Sequence, residues 1–349
     1  MPPRHHVLVV GGGIAGLALA ATLDPRRVRV TLVEERPERA GAGTVLAMWP
    51  GGRRALETIG GGERARAASF PVRAGTLRAA DGSVLQQRRI PGLWFTPRAD
   101  LVAALEAALP PQVERLTRGV TDPRALATEV GADLVVGADG VRSVCRQHAV
   151  EGSAPVVTDW IALRGHLPGP PVTTATEWWG PGGLFGQTPG PQGAAWFCAV
   201  RADHGSATVD PEEAIALSRG HLGDWDATVR EILTAVGDAA DAQRVLVAPP
   251  LRSSADEGLV LIGDAAHAMS PNLGRGANEA LVDAVVLAEE IHRRGPKGAP
   301  GAYSRRRHAT GQALRATAGI ALHLATTRRG ARWRDRALRF VPGDGAGGG

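Results

Sequence analysis

The stretch GLVLIGDAAHAMSPNLGRGANEALVDAVVLAEEI, residues Gly258–Ile291, predicts a buried strand, an irregular loop and a long helix. The apolar run Val260–Ile262 ends at a glycine, as expected of a strand buried on both faces, and Asp264 follows at the strand's end. Apolar residues then recur at helical spacing, so a helix is expected to begin near Gly276. Its free backbone N–H groups would face back into the loop, where they attract negative charge.

A nucleotide-binding unit is predicted near the N-terminus. The pattern indicates a strand over Val7–Val10, a helix over Ile14–Leu23 and a strand over Val28–Val33. The first turn has the spacing GxGxxG, formed by Gly11, Gly13 and Gly16. Such glycines permit close approach of the backbone to a pyrophosphate, and an acidic residue at the end of the second strand binds a ribose. That acid is Glu34 or Glu35, with Glu34 favoured, and we expect dinucleotide binding.

Composition and charge bound the class of protein. The 349 residues suffice for one large or two ordinary domains. The net charge of +5 is that of some nucleic-acid-binding proteins, but 39 of the 40 basic residues are arginine, as GC-rich coding produces. No long basic run is interleaved with aromatic residues. We therefore expect no nucleic-acid partner.

Two features concern the location of the protein. Cys145 and Cys198 have neither metal-type nor CxxC spacing, which is typical of a reducing cytosol. The apolar segment Val7–Leu23 is similar to a signal peptide, but glycines interrupt it and it is short for a membrane span. We expect a cytoplasmic monomer or homodimer without a membrane span.

The middle of the chain mixes helical and strand patterns. A helix is predicted from about Gly52 to Ile59, and two strands are predicted between Val72 and Ile90 around an Asp-Gly turn. Another helix is expected from about Asp100. Arg98 stands just before it and is either a phosphate or ribityl ligand or an ordinary surface arginine.

Residues 154–250 change to short apolar runs broken by glycine and proline, which predicts a mostly antiparallel sheet. The predicted strands are Trp160–Leu163, Thr174–Trp179, Gly183–Gly186 and Ala194–Val200. Helices are predicted over Pro211–Leu222 and Asp226–Val236. A Gly/Pro linker is expected over residues 295–303, before a helical tail through Phe340.

A third motif follows the predicted strand Asp133–Gly137, namely Asp139-Gly140-x-x-Ser143-x-x-Arg146. With the N-terminal GxGxxG and the late Gly263-Asp264 pair followed by Pro271, the chain resembles the class A FAD-dependent aromatic-hydroxylase family, the flavoprotein monooxygenases similar to p-hydroxybenzoate hydroxylase. The order and spacing of the three motifs match over almost the whole chain.

The resemblance implies an α/β fold, with a Rossmann-like FAD-binding domain of the GR2 type, an inserted, mostly antiparallel substrate sheet and a C-terminal helical tail. The FAD-binding domain is expected over residues 1–71, 94–153 and 251–298. The substrate domain is expected over residues 72–93 and 154–250. C-terminal helices would occupy residues 299–340, followed by a disordered tail over 341–349.

FAD is the implied cofactor, and NAD(P)H is the implied electron donor. No second GxGxxG lies between a predicted strand and a predicted helix, so NAD(P)H would bind transiently in a groove. Asp139, Gly140 and Arg146 would lie near the pyrophosphate and also engage NAD(P)H. The residues expected to contact FAD are Gly11, Gly13, Ile14, Ala15, Gly16, Glu34, Glu35, Arg98, Asp139, Gly140, Arg146, Gly263, Asp264, Pro271, Leu273, Gly274, Arg275 and Gly276.

The implied reaction uses NAD(P)H and O2, through a C4a-hydroperoxyflavin, to hydroxylate or epoxidise a small cyclic or natural-product-like substrate. The candidate catalytic residues are Arg164, Pro271, Arg275 and His267, and His166 is a further acid/base candidate. The expected substrate wall is Trp178, Trp179, Phe185 and Gln187, with a place in the core as the alternative for the aromatic residues. The only tyrosine, Tyr303, lies in the tail, so tyrosine-assisted ionisation of a phenol is not expected.

Arg275 departs from the family pattern, which often has GQG where this chain has Gly274-Arg275-Gly276. If its side chain points inward, Arg275 would favour an anionic reduced flavin. Two other functions share the predicted fold. One is a flavin reductase or dehydrogenase of isoprenoid-like substrates, and the other is a non-catalytic FAD-binding protein.

Overall fold

The computed structural model describes residues 5–202, 208–236 and 240–340. Its strands are β1 (His5–Val10), β2 (Val28–Glu34), β3 (Val45–Met48), β4 (Phe70–Ala79), β5 (Val84–Pro97), β6 (Glu114–Thr117), β7 (Leu134–Gly137), β8 (Val156–Pro168), β9 (Ala175–Gly180), β10 (Gly183–Gly190), β11 (Gly193–Arg201), β12 (Asp241–Val247), β13 (Ala255–Asp256) and β14 (Leu259–Leu261). Its α-helices are α1 (Ile14–Thr22), α2 (Pro50–Ile59), α3 (Gly62–Ala67), α4 (Arg98–Ala107), α5 (Pro123–Val130), α6 (Val144–Ala149), α7 (Pro211–Leu222), α8 (Ala227–Ala235), α9 (Asp264–His267), α10 (Gly276–Thr326) and α11 (Ala331–Phe340).

One sheet has six strands in the order β13-β14-β7-β1-β2-β6. Its neighbours are parallel except for β13 and β14. Residues Val7–Val9 of β1 are fully buried because helices cover both faces, with α1, α4 and α10 on one and α5 and α6 on the other. This doubly covered parallel sheet confirms the predicted Rossmann-like α/β fold, and it brings the carboxyl ends of its parallel strands to one edge.

The second sheet has eight strands in the order β12-β8-β11-β10-β9-β4-β5-β3. Every neighbouring pair is antiparallel except β4 with β9, so the expected mostly antiparallel sheet is confirmed. The segment 72–93 lies within the hairpin of β4 and β5, which runs from Phe70 to Pro97. The short strand β3 also joins this sheet. Helices α7 and α8 pack on one of its faces.

Side chains of the second sheet alternate between its two faces, as the pleat of a strand requires. Trp178 and Phe185 are buried in the core beneath α7 and α8. The next residue after Trp178, Trp179, packs on the opposite face. Gln187 lies two residues after Phe185 and therefore shares its face. The prediction that Trp178, Phe185 and Gln187 form a substrate wall is wrong, because their strand positions turn them towards the helices.

Helix α10 begins at Gly276, as predicted, but it continues further than the sequence suggests. A single residue, Gly295, interrupts it with φ 71° and marks a kink. Helical structure resumes at Pro296, where a proline costs little because a first-turn N–H has no partner within the helix. The expected Gly/Pro linker over residues 295–303 is therefore wrong, and the second half of α10 lies beside the first.

Several smaller elements were absent from the sequence prediction, namely β3, β6, α3 and α5. Strand β6, with sequence ERLT, is a mostly exposed edge strand that lacks apolar alternation. Helix α4 begins at Arg98 itself rather than after it. The predicted tail at residues 341–349 lies outside the described residues. Among the described helices, none combines the length and apolar character needed to cross a membrane.

The assignment of Phe185 to the core can be tested by truncation. Its ring stacks on Trp196 at a centroid distance of 6.0 Å and meets Trp178 edge to face at 5.9 Å. Phe185→Ala is expected to lower the free energy of unfolding by about 3–5 kcal/mol, because it leaves a cavity among these rings. Urea denaturation monitored by circular dichroism measures the change. Unchanged stability would contradict the assignment.

Candidate active site

The GxGxxG turn lies at the carboxyl end of β1, and its three glycines have different surroundings. Gly11 has φ 107°, and a Cβ there would collide with the backbone of Ala138. A Cβ on Gly16 would collide with the carbonyl oxygen of Gly11. In contrast, a Cβ on Gly13 would meet no atom within 4 Å. Gly11 and Gly16 are thus required for packing, whereas Gly13 faces open space at the start of α1.

Glu34 lies against this turn, and Glu35 does not. The Oε2 atom of Glu34 accepts a hydrogen bond from the Gly12 N–H at 2.7 Å, and its Oε1 accepts one from the Arg36 N–H at 2.8 Å. The side chain of Glu35 is 63% exposed and lies 3.8 Å from Nε of Arg36. Of the two glutamates, only Glu34 is held beside the GxGxxG turn.

A cavity of about 630 Å³ extends from this turn to the second sheet. Apolar side chains of the sheet form much of its wall, and the loop before α10 forms another part. The predicted site residues that line it are Gly13, Ile14, Ala15, Arg98, Gly140, Arg164, Trp179, Asp264, Pro271, Leu273, Gly274, Arg275 and Gly276. The cavity therefore connects all three sequence motifs with one face of the antiparallel sheet.

Three charged residues, Arg98, Arg164 and Asp264, face the cavity close to one another. Arg98 donates from Nε to the Ala40 carbonyl at 3.0 Å, and Arg164 donates from Nε to Asp241 at 2.7 Å. Burial lowers the pKa of Arg98, while the nearby Asp264 carboxylate opposes this effect and Arg164 adds to it. Arg98 is thus a cavity residue, and the alternative of an ordinary surface arginine is excluded.

The carboxylate of Asp139 is used within its own motif. It accepts hydrogen bonds from the Ser143 hydroxyl and, at 3.0 Å, from the Cys145 N–H. These bonds fix the turn that leads into α6. Its neighbour Gly140 has φ 74°, a conformation that favours glycine, and lines the cavity. Asp139 therefore shapes the wall at which Gly140 lies.

Arg146 is fully buried, and its guanidinium bonds to backbone carbonyls. Nε donates to Ser153 at 2.8 Å and Nη1 donates to Ala265 at 3.0 Å, with a further bond to Val141. Burial lowers the pKa of Arg146. The expectation that Arg146 engages NAD(P)H is wrong, because its side chain ties α6 to the residue after Asp264 and does not line the cavity.

His267 also lies away from the cavity. Its Nε2 is 2.7 Å from Oδ2 of Asp283, which in turn accepts a hydrogen bond from the Gly263 N–H at 2.9 Å. Arg307 donates to the other Asp283 oxygen at 2.7 Å. The prediction that His267 is a catalytic acid or base at the cavity is wrong, because its ring is buried beside Asp283 and does not line the cavity.

The cluster extends to Arg275 at the cavity wall. Nη2 of Arg275 is 2.9 Å from Glu279, whose second oxygen is 2.6 Å from Arg307. The guanidinium carbon of Arg275 lies 5.9 Å from the centroid of the Trp49 ring. Arg275 thus faces the cavity at the N-terminus of α10 with its charge partly compensated. Basic and acidic side chains thus alternate along the cluster, in the order Arg275, Glu279, Arg307, Asp283 and His267.

Four buried side-chain polar atoms of cavity-lining residues have no hydrogen-bond partner in the described part of the chain. One is Nε1 of Trp196 on β11. The other three lie in or beside the loop 271–276 and are Nε1 of Trp49, Oδ1 of Asn272 and Nε of Arg275. Of these three, two are donors and one is an acceptor. Unpaired buried polar atoms cost free energy, so their grouping beside the loop 271–276 indicates a site for a ligand with both acceptor and donor edges.

Several residues on the cavity face of the second sheet were not predicted from the sequence, among them Glu177, Leu184 and Phe197. The signal for Glu177 was its position two residues before Trp179, which places both side chains on one face. His166, the further acid/base candidate, is an exposed residue of β8 and does not line the cavity.

Comparison with known proteins agrees with this geometry. The model of the family described as FAD binding domain matches residues 113–318, and that of the NAD(P)-binding Rossmann-like domain matches residues 9–47. The 3-amino-4-hydroxybenzoate 2-monooxygenase PtmB3 of Streptomyces platensis is 32% identical over 318 residues, covering 82% of this chain and 79% of the relative. The aurachin C monooxygenase/isomerase of Stigmatella aurantiaca is 27% identical over 305 residues, covering 81% and 79%.

Among solved structures, Klebsiella pneumoniae HpxO complexed with FAD and uric acid has a TM-score of 0.83 at 19% identity, covering 97% of this chain and 94% of that chain. This likeness concerns the fold. The chain belongs to the family of FAD-binding class A aromatic hydroxylases and monooxygenases. It is an FAD-dependent monooxygenase, and the NAD(P)H donor is typical of this class.

The ion cluster predicts a pH-dependent contribution of His267 to stability. Burial opposes its charged form, but Asp283 outweighs this effect and raises the pKa of His267 above 6.5, while the pKa of Asp283 is lowered despite its burial. Because the pKa of His267 is higher in the folded than in the unfolded protein, His267 adds to the free energy of unfolding at a pH below its unfolded-state pKa. This contribution is lost as the pH rises through its folded-state pKa. His267→Gln should therefore cost about 3–5 kcal/mol near pH 5.5 and less near pH 9.

Urea titrations of both proteins across this pH range provide the measurement. Asp283 has the opposite pH dependence, because its contribution to the free energy of unfolding is lost as the pH falls through its lowered pKa. The titrations are therefore kept above about pH 5, where Asp283 stays ionised. A wild-type to variant difference that is constant from pH 5.5 to 9 would contradict the charged pair.

Proposed function

We propose that the protein uses NAD(P)H and O2 to insert one oxygen atom into a small aromatic, natural-product-like substrate held against the second sheet. The observation that carries the proposal is the single cavity shared by the GxGxxG turn, the loop before α10 and the antiparallel sheet. The named activity of the relative from Streptomyces platensis, on an aminohydroxybenzoate, supports an aromatic ring as the substrate.

We assign the cofactor contacts from the geometry of the wall. Glu34 would bind the adenosine ribose, and the pyrophosphate would lie over Gly13, where the turn leaves open space. Asp264 and Arg98 would contact the ribityl chain. Bound FAD supplies the electron transfer from NAD(P)H and the activation of O2.

The loop 271–276 would contact the isoalloxazine. The unpaired donors of Trp49 and Arg275 suit its carbonyl and ring-nitrogen acceptors, and the unpaired oxygen of Asn272 suits its N–H. The first-turn N–H groups of α10 and the charge of Arg275 would stabilise negative charge on that edge without reorganisation. Pro271 fixes the start of this loop, and we propose no proton transfer by it.

The second sheet would hold the substrate and exclude water. Leu184, Phe197 and Trp179 supply apolar contacts on the cavity face, so electrostatic effects at the reacting atoms would be stronger than in water. Arg164, fixed by Asp241, would orient an acceptor group of the substrate. NAD(P)H would bind transiently at the open side of the cavity.

Turnover of the purified protein tests the proposal. The protein should be yellow with bound FAD, and a cognate aromatic compound from a natural-product library should accelerate NADPH or NADH oxidation under air. The product should be heavier by one oxygen atom. Oxygen-independent conversion would favour the reductase, yellow protein without any turnover would favour a binding protein, and colourless protein that takes up no FAD would contradict the proposal.

Two glycine variants test where the pyrophosphate lies. Gly13→Ala should keep the fold, because its new methyl group meets open space, but lower FAD affinity at least about tenfold. Gly16→Ala should disturb the fold itself, since its Cβ would collide with Gly11. Calorimetric titration with FAD and circular dichroism separate the two effects. Full FAD affinity in Gly13→Ala would contradict the assignment.

The redox potential of bound FAD tests Arg275. Arg275→Gln removes positive charge beside the proposed flavin edge and should lower the potential by roughly 20–60 mV, or about 1–3 kcal/mol for two electrons. Glu279→Gln removes the compensating charge and should raise it. Dye-referenced spectroscopic titration measures both. Unchanged potentials in the two variants would show that Arg275 does not act on the flavin.

A further inference from the structure

A carboxyl group lies on the cavity face of the second sheet. Glu177, the third residue of β9, lines the cavity together with Trp179. Its Oε2 accepts a hydrogen bond from the Trp179 indole N–H at 3.0 Å. Over the ranges that the structure describes, this is the one hydrogen bond of the Glu177 side chain. The carboxyl group is therefore held in place while retaining further hydrogen-bonding capacity.

The fully buried acids among the described residues are paired with cations. Glu279 pairs with Arg275 and Arg307, and Glu290 pairs with Arg294 at 2.8 Å. Glu177 forms no ion pair with any residue described in the structure, and burial raises its pKa. Glu177 is partly buried and lines the cavity, and a carboxyl group drawn away from water without a cation costs folding free energy, so its position is better explained by a ligand than by folding.

Strand register places Glu177 in a row with three other residues. Glu177 lies opposite Gly186, Gly186 opposite Phe197, and Phe197 opposite Arg164. The ring of Phe197 occupies the space above Gly186, where a Cβ would collide with it. At the usual strand spacing, the backbones of Glu177 and Arg164 are about 14 Å apart.

This row has a carboxyl group at one end, an aromatic ring in the middle and a guanidinium at the other end. All three side chains line the cavity. An aromatic ring of a ligand could pack on Phe197. A carboxyl group in either protonation state offers an acceptor oxygen, so the Glu177 end suits an N–H or O–H donor.

We propose that Glu177 forms a specificity subsite that accepts a hydrogen bond from an amino or hydroxyl group on the aromatic ring of the substrate. The inference rests on the proposed function and assigns the donor group of the substrate to the Glu177 end of the row, opposite the Arg164 end. Trp179 is a positioning residue for this subsite, because its indole N–H fixes one oxygen of Glu177. Substrates with only carboxylate or alkyl groups at that position are disfavoured.

Matched ring probes test the subsite. Binding of 2-naphthylamine, 2-naphthol and 2-methylnaphthalene to the FAD-loaded protein is measured by calorimetry. The amine and the naphthol should bind at least about tenfold more tightly than the methyl compound, as expected for a hydrogen bond to a carboxyl group. Glu177→Leu should reduce this preference to less than about threefold, and Glu177→Gln should restore part of it because its amide oxygen accepts.

Glu231→Gln, which alters an exposed acid of α8, is the matched control and should keep the full preference. Equal affinity of the three probes, no binding of the donor probes, or a preference that survives Glu177→Leu would overturn the subsite. FAD uptake by the same preparations reports separately on the proposed function. Yellow protein without donor preference would overturn the subsite alone, whereas protein that takes up no FAD would count against the proposed function.

Discussion

The buried carboxylate of Asp283 is the interaction on which the rest of the site depends. It accepts hydrogen bonds from the Gly263 N–H, from His267 and from Arg307. These partners come from the end of the first sheet, from α9 and from the second half of α10. Since an ion buried without partners is costly, the cluster forms as a unit. It thereby fixes the direction in which Asp264 leaves the sheet and the position at which α10 begins.

The cavity beyond this cluster has two chemically different ends. Near the first sheet, Arg98, Asp264 and Arg275 surround space bordered by backbone N–H groups, as a charged and polar cofactor requires. At the second sheet, the wall is largely apolar. Oxygen insertion would benefit from this division, because the polar end would hold the cofactor while the apolar end would keep water away from the reacting atoms.

The features predicted from sequence are those set by local patterns. The glycine spacing, the short strand before Gly263 (β14, Leu259–Leu261) and helix α7 over Pro211–Leu222 needed only nearby residues. The failures needed contacts distant in sequence. The chain gives no local sign that Arg146 is buried by Ala265 and Ser153, or that Pro296 starts a helix. The sequence could not show which of Trp178 and Trp179 faces the cavity, because that depends on which face of β9 packs against the helices. Glu177 was overlooked because one acid in an apolar strand is not a motif.

The most direct measurement is a crystal structure of the FAD-loaded protein. The isoalloxazine should lie between the loop 271–276 and the face of the second sheet that carries Glu177. Nε1 of Trp49, Oδ1 of Asn272 and Nε of Arg275 should each lie within about 3.2 Å of a flavin polar atom or of a water bound to one. An isoalloxazine outside the cavity, with those three atoms still unpaired, would contradict this placement.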